Sequence, residues 1–598
     1  MSNYHYKSNL DDILFNLFEN YDLEQTLRDH PEYDLNKETV IDLLKEVERL
    51  ASNELAASFS DHDNQLPILT NGKVLLGPEI KKSFSAYLSG GWNLVGVNPE
   101  IGGVSMPKEL LWAINELLVG ANPGLYLYCA MMSFANVLFE LGDKDQKELA
   151  RLMVKNNWCA TMMLTEPDAG SDVGSGTAKA KLNEDGTWSL TGTKRFITSG
   201  DHDLASNIIH FVLARPHGAK EGTKGLSLFI LPKFLKDERG EYTRVNGVRA
   251  VNLESKMGIK HSATCEMVLG EHEPAIGYLL GGEHDGISQM FRIIEAARMM
   301  VGTKAIATLS TAYLNALDYA QIRVQGYAIS DKHRSNGRVT IDQHPEVSKE
   351  LLYLKSFSEG LRSLVLFGAH IQELAQNNPT HQEYNSLNDL LLPIIKGYGS
   401  EEAFALISNQ ALSIYGGAGY TTDYPIEQYL RDAKIDTLYE GTTNIQANDF
   451  FFRKIIKDQG YGLTELISIM KKDLEVAEEL VSYKEEFLNL LTSYQASIEV
   501  LVGKFLEYYS SEEPAIINEL ASKTRALLEV TGDLLLYWLL LNSATESKHV
   551  ATSEVFSKGK IYNVKIFSRE RIIKTRASIE QLGSKVGGYF PIDPKFLS

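Results

Sequence analysis

The sequence predicts an α+β multidomain chain: a helical domain, a compact all-β domain and a helical bundle in that order, with a further helical domain at the end. Three observations predict it. Apolar residues recur at spacings of three and four through the first quarter; short β-type runs divided by turn residues replace them from about residue 159; helical periodicity returns near residue 287 and persists. The 598 residues exceed what one core accommodates, since a domain typically takes roughly 100–200 residues.

Residues 1–35 read as an N-terminal extension with one short amphipathic piece, Leu10 to Phe18. A helical domain is expected over 36–158, where Val40, Leu43, Leu44, Val47 and Leu50 share a helix face and Glu109 to Leu118 continues the habit. Pro99-Glu-Ile-Gly-Gly interrupts it as a loop. The middle β domain, 159–275, rests on runs such as Trp188-Ser-Leu-Thr, Ile208-Ile-His-Phe-Val-Leu-Ala and Leu226-Ser-Leu-Phe-Ile-Leu. The bundle, 276–455, opens with Ile287, Met290, Ile293, Ile294, Ala297 and Val301. In the last domain, 456–598, one seam runs Leu463, Ile467, Met470, Leu474, Ala477, Val481, and a second runs from Phe487 to Tyr508; Pro514 marks a break between helices.

Composition narrows the class. A hydrophobic share of 44% with 23% charged residues is that of an ordered globular chain. The net charge of −19 repels a phosphate backbone, which sets nucleic acid aside as a main partner. Cys129, Cys159 and Cys265 form no CxxC pair, so neither a disulfide framework nor a cysteine zinc site is indicated. The start of the chain has neither a basic, then apolar, export pattern nor an Arg/Ser-rich leader, and the expected location is the cytoplasm. The most apolar run, Leu534 to Leu541, falls short of the roughly 20 residues that span a bilayer, so no integral membrane segment is expected.

Three segments could carry chemistry. Leu164-Thr-Glu-Pro-Asp-Ala-Gly-Ser-Asp-Val-Gly opens the β region; its small residues admit close backbone approach, and Thr165 and Ser171 add hydroxyls for a polar ring edge or a phosphate. In Leu190-Thr-Gly-Thr-Lys-Arg-Phe-Ile-Thr-Ser-Gly, strand alternation places Phe196 and Thr198 on one face, suited to a planar cofactor or to core packing. The third joins Ile414-Tyr-Gly-Gly-Ala-Gly-Tyr to Leu430-Arg-Asp-Ala-Lys-Ile-Asp-Thr-Leu-Tyr-Glu-Gly-Thr-Thr-Asn. Its glycines lack the strand–turn–helix context of a dinucleotide loop. Glu440 stands between an aromatic and a glycine, where desolvation would raise its pKa toward a general base's range.

Together and in this order, the segments resemble the acyl-CoA dehydrogenase family of flavoproteins, over roughly residues 36 to 455. The pairing of Thr165-Glu-Pro-x-Ala-Gly-Ser-Asp with Arg431-Asp-Ala-Lys-Ile-x-x-x-Tyr-Glu-Gly-Thr is specific. The resemblance implies that family's fold: an N-terminal helical domain, a central β-barrel-like domain and a C-terminal four-helix bundle, here with an extra C-terminal helical domain. It also implies FAD as cofactor, an acyl-CoA substrate, α,β-dehydrogenation to a trans-2-enoyl-CoA, and no metal. Glu440 then corresponds to the base that takes the α-proton while a hydride leaves the β-carbon for the flavin. The Glu440 N–H, with a ribityl hydroxyl, corresponds to the stabiliser of the developing enolate oxygen.

By the same resemblance Met162, Met163, Leu164 and Thr165 hold the flavin ring, Phe196 packs near it beside Ile197, and Thr198 bonds near its reactive nitrogen. Arg323 corresponds to the arginine that meets the FAD pyrophosphate across a subunit interface. Gly416, Gly417, Thr442 and Asn444 correspond to adenosine-side contacts. Ser171 lies at the junction of cofactor and substrate; Glu295, Arg298 and Gly441 fall on the substrate side. Phe196 stands where the family often has Trp, Ala297 where some branches carry the base, and Pro345 where a glutamine often contacts the neighbour's cofactor.

The N-terminal piece and C-terminal block resemble the large bacterial branch that includes 3-methylmercaptopropionyl-CoA dehydrogenase, and imply a homodimer. The expected electron acceptor is an electron-transferring flavoprotein. Two alternatives stand beside this reading: an acyl-CoA oxidase that passes electrons to oxygen, and a non-catalytic flavin-containing nucleic-acid-binding relative drawing on the basic C-terminus. For the second, Lys565, Arg569, Arg571, Lys574 and Arg576 also read as one solvated helix face or as partners of the acidic body.

Overall fold

The structure is a computed structural model and describes residues 5–61, 65–472, 476–549, 553–584, 592 and 594–597. Its packing divides the chain into two compact units. The first holds the described residues of 42–106 and 117–297 with the described start of the chain to Tyr6; the second holds 7–41, 107–116 and the described residues from 298 on. The described residues of 7–35 and 456–598 fall in one unit with the bundle. The expected boundary at 275 falls at the start of a strand, Ala275–Leu279.

The first unit is built on a sheet of eight strands: β1 Cys159–Met163, β2 Lys179–Leu182, β3 Trp188–Thr198, β4 Ile208–Pro216, β5 Ser227–Pro232, β6 Val248–Leu253, β7 Thr264–Leu269 and β8 Ala275–Leu279. The pairs β2·β3, β3·β8, β8·β5, β5·β4 and β4·β2 close a ring, so the sheet curls into the expected barrel-like form. β1 runs parallel to β4, and β7 and β6 extend the sheet beyond β3. Phe211, Leu213, Leu228 and Ile230 meet Phe134, Leu138 and Met153 from helices Phe134–Leu141 and Lys144–Lys155 in the core.

One hairpin lies inside the region expected to be helical: Ile68–Thr70 pairs with Lys73–Leu75 across Asn71-Gly72. Both turn residues have positive φ, 49° and 71°. Asn-Gly is the residue pair that such two-residue turns favour.

The second unit contains α1 Leu10–Phe15, α2 Gly286–Ile322 from residue 298 on, α3 Pro345–Asn377, α4 Gln382–Pro393, α5 Ile426–Lys434, α6 Thr443–Asn448, α7 Val481–Ser511, α8 Pro514–His549, α9 Glu554–Phe567 and α10 Ile573–Gly583. The long seam expected through Val481 is broken: the helix that carries Leu463, Ile467 and Met470 ends at Lys471, Leu474 lies outside the described residues, and α7 begins at Val481.

Two features bind the first helix and the late helices into this unit. Asp12 on α1, Arg362 on α3 and Lys560 on α9 form a buried ion network with Glu116 and Glu359; Arg362 donates to Glu116 at 2.6 Å and to Ser310 at 2.8 Å. Opposite charges withdrawn from water in this way compensate one another only when all partners are present. In addition, α8 packs against α3, α6, α7 and α9. Pro514–Lys548 and Pro123–Leu141 are by length and composition apolar enough to cross a membrane, which the short run at Leu534 does not signal. They are 83% and 62% buried over their apolar windows, so much of that surface serves as protein core.

The basic C-terminal residues are largely spoken for. Arg571 pairs with Glu402 and Asp533 at 2.6 and 2.8 Å, Arg576 with Glu486 at 3.0 Å, and Lys565 lies 4.0 Å from Glu479.

Candidate active site

Most candidate residues of the first unit lie at the end of β1, in the loop after it and at the end of β3. Met162 is half-buried and Met163 buried as β1 runs beside β4; Leu164 and Thr165 follow in the loop. The Thr165 carbonyl accepts a hydrogen bond from the Arg195 N–H at 2.9 Å, which ties the loop to β3. Beneath lies a pair that sequence reasoning left unassigned. Lys194, 1% exposed, meets Glu166, 5% exposed, at 2.8 Å, and also donates to the carbonyls of Leu164 and Leu213. Burial works to raise the Glu166 carboxyl, but Lys194 and the Thr177 donors hold it below its ordinary value. A signal was present: both charges sit inside the two motifs, and Lys194 occupies an inward position of its strand.

Above this pair β3 bulges. Two of its residues, Arg195 and Phe196, stand where β7 spends one, Glu266, and Phe196 takes a φ of 59°. The left-handed region is costly for an aromatic residue. The bulge turns the Phe196 ring outward, 55% exposed, with the Arg195 guanidinium 4.9 Å from its centroid. Ile197 is buried and Thr198 half-buried. Among the described residues neither the Thr165 nor the Thr198 hydroxyl has a protein partner. An open aromatic face flanked by two uncommitted hydroxyls fits a planar group with a polar edge, as an isoalloxazine has. Ser171 is exposed in the same loop region, and Glu295 is half-buried on α2 within this unit.

In the second unit the third motif forms a clamped turn. α5 ends at Lys434, a short turn Ile435–Thr437 follows, and Glu440 and Gly441 then take φ values of 55° and 89° before α6 starts. A Cβ at Gly441 would lie 2.8 Å from Gln446 Nε2, so glycine is required there twice over. Asp436, fully buried, pairs with Lys304 at 2.6 Å and accepts from the Tyr439 hydroxyl at 2.9 Å. Gln446 donates to the Glu440 carbonyl at 2.9 Å, and Lys396 to the Gly441 carbonyl. Among the described residues the N–H groups of Glu440 and Gly441 have no protein acceptor.

Glu440 is half-buried. Burial raises its carboxyl pKa, and the charges of Arg298 and Lys396 oppose that rise. This direction suits a base that must hold a proton taken from carbon.

The other candidates of this unit are dispersed. Arg298, expected on the substrate side, is only 8% exposed and pairs with Asp449 at 2.9 Å, so its charge is directed into the protein. Its place is beside Glu440 as an electrostatic neighbour. Thr442 uses its hydroxyl to cap α6, accepting from the Ile445 N–H at 3.4 Å. Asn444 is exposed, as are Gly416 and Gly417 in a short turn before α5 and Arg323 just beyond α2.

Comparison with known proteins shows the family. Residues 161–271 match the family model for the acyl-CoA dehydrogenase middle domain, and residues 284–451 that for the acyl-CoA dehydrogenase C-terminal domain. The chain is 44% identical to the broad-specificity linear acyl-CoA dehydrogenase FadE5 of Mycobacterium tuberculosis, over 97% of this chain and 98% of that one. It is 31% identical to the 3-methylmercaptopropionyl-CoA dehydrogenase of Ruegeria pomeroyi, over 89% and 90% of the two chains. Among solved structures, an acyl-CoA dehydrogenase from Bacillus anthracis complexed with FAD is similar in fold, with a TM-score of 0.68 at 20% identity over 96% of this chain and 88% of that one.

Proposed function

The chain belongs to the acyl-CoA dehydrogenase family and is an FAD-dependent oxidoreductase of acyl-CoA thioesters; on that premise we propose that Glu440 is its base and that its substrates are linear acyl-CoAs. The observation that carries the first part is the turn at Glu440: a carboxyl made more basic by burial, beside two backbone N–H groups that have no protein acceptor among the described residues. The linear substrate class follows the 44% identity to a relative named for linear acyl-CoAs.

Chemically, Glu440 as carboxylate accepts the α-proton, and the electron pair of that C–H bond moves toward the thioester carbonyl. The carbonyl oxygen gains charge, and the Glu440 N–H is suited to donate to it. Such a donor supplies roughly 3–4 kcal/mol when aimed at a developing oxyanion. Bound FAD supplies the two-electron acceptor for the hydrogen that leaves the β-carbon with its pair. Phe196, Thr165 and Thr198, with the backbone of Met162 to Leu164, would hold the ring of the cofactor. The Glu166–Lys194 pair keeps the loop that presents them in place.

The electrons are then proposed to pass to an electron-transferring flavoprotein, and the protein to act as a homodimer; light scattering giving a monomer or tetramer mass would contradict the latter. Anaerobic bleaching of the flavin by acyl-CoAs from short to long, with branched and methylthio members included, tests the substrate class. Straight chains are expected to bleach fastest, and a branched or methylthio ester outpacing all of them would refute that part. Steady hydrogen peroxide formation without an added acceptor would replace the dehydrogenase by an oxidase.

A further inference from the structure

Three cations surround the segment from Asp432 to Gln446. Two of them have carboxylate partners: Lys304 pairs with Asp436 at 2.6 Å and donates to the Asp432 carbonyl at 2.8 Å, and Arg298 pairs with Asp449 at 2.9 Å. Lys396 differs. It is 0% exposed, makes no ion pair among the described residues, and its hydrogen bond goes to the Gly441 carbonyl. An ammonium has three donors, and burying one without a carboxylate is costly. Burial lowers the Lys396 pKa to about 8, against the pull of Asp436, Glu440 and Glu401 and with that of Arg298.

The fold holds this costly group in place. Lys396 lies in a π-helical turn, Ile394–Tyr398, between α4 and Gly399–Leu406. A Cβ at Gly397 would come within 3.0 Å of both Gln446 and Leu528, and one at Gly532 within 2.4 Å of the Tyr398 ring. The Tyr398 hydroxyl donates to Asp533 at 2.7 Å. Helix α8 of the C-terminal extension thus packs closely against the turn that carries Lys396.

We propose that Lys396 is a positioning residue for the base: its ammonium holds the Glu440-Gly441 turn by the Gly441 carbonyl and supplies the positive charge against which Glu440 ionises. This rests on the reading of Glu440 as the base. Gln446 is the internal control, because it holds the preceding carbonyl of the same turn with a neutral donor.

The test uses the full-length, FAD-loaded protein. Single-turnover anaerobic bleaching is followed from pH 5 to 10 for the parent, Lys396→Met, Lys396→Gln, Gln446→Leu and Glu440→Gln. Lys396→Gln removes the charge while keeping a donor, so it carries the test if Lys396→Met does not melt cooperatively. Loss of the charge is expected to move the acid limb of the rate upward by roughly one pH unit, the low end of a nearby opposite charge's effect. Loss of the clamp is expected to slow bleaching on the order of 10- to 100-fold. Gln446→Leu should slow the reaction without moving the limb. Infrared difference spectra give a second readout: the carboxyl band that disappears in Glu440→Gln should titrate at higher pH in both Lys396 variants. A limb and a band at the parental pH in Lys396→Gln overturn the proposal, even if the rate falls. Normal bleaching by Glu440→Gln would instead remove the base assignment itself, so the two failures are distinguishable.

Discussion

Phe196 and Glu440 share an unusual backbone and are treated oppositely by the protein around them. Both are non-glycine residues in the left-handed region, with φ of 59° and 55°. Around Phe196 the protein is firm below and open above: Lys194 and Glu166 lock the loop, while the ring is 55% exposed and the Thr165 and Thr198 hydroxyls have no protein partner among the described residues. Around Glu440 the turn is held through both carbonyls, while the N–H groups of Glu440 and Gly441 have no protein acceptor among the described residues. Strain of this kind costs of order 1–3 kcal/mol and persists only where the surroundings impose it. The contrast suggests a division of labour. The first region presents a surface that a bound group completes; the second presents a reactive group that the protein itself has completed.

The largest test of that division is Glu440→Gln. It should still take up FAD, since the Phe196 region is untouched, yet bleach about 10²–10⁴ times more slowly with acyl-CoA, the range a general base contributes. Stopped-flow absorbance measures it, and loss of FAD in this variant would break the contrast. Next in size is Lys194→Met, which leaves Glu166 buried without its cation. Breaking a buried pair from one side costs about 3–5 kcal/mol. Denaturant unfolding should register that loss, whereas a change below about 1 kcal/mol would mean that the loop does not depend on the pair.

Smaller is the effect of Glu440→Gln on stability. Burial raises the folded-state pKa of Glu440, so this carboxyl favours the fold at pH below its ordinary value, and that contribution is lost as pH rises through the raised one. The glutamine variant should therefore melt above the parent at pH 8 and close to it at pH 4. Equal melting differences at both would imply that burial does not penalise the charge.

The same contrast explains what was legible in the sequence. The β domain and flanking helices were readable because alternation and 3.6-residue periodicity are local signals. The unit boundaries were not, because Asp12 and Lys560 meet Arg362 and Glu359 only through long-range packing. Asn71-Gly72 was a readable hairpin signal inside a stretch whose helical pattern dominated. Glu440 and Phe196 stood out through their motifs, whereas Lys396 did not: a lone lysine in Leu-Pro-Ile-Ile-Lys-Gly reads as a side chain reaching water. Arg298 was assigned outward for a similar reason, since Asp449 lies 151 residues away in sequence.

The smallest expected effect sharpens the comparison most, because it concerns strain alone. In Phe196→Gly the left-handed backbone becomes free of the Cβ penalty, a gain of about 1–2 kcal/mol. Against this stand the extra chain entropy of glycine, about 0.5–1 kcal/mol, and the lost burial of a ring that is 55% exposed, about 1 kcal/mol on the scale for a large apolar side chain. The exposed contact with Arg195 adds about 0.5 kcal/mol at most. These terms nearly cancel, so the cofactor-free variant should unfold within about 1 kcal/mol of the parent, while its bound-flavin absorbance and FAD affinity change. A loss above about 2 kcal/mol with an unchanged flavin spectrum would make Phe196 an ordinary packing residue. Phe196→Leu separates the two contributions further: it keeps the strain and much of the apolar contact but has no aromatic face. If it matches the glycine variant in FAD affinity yet is less stable, then the bulge is maintained for what the ring does to the cofactor.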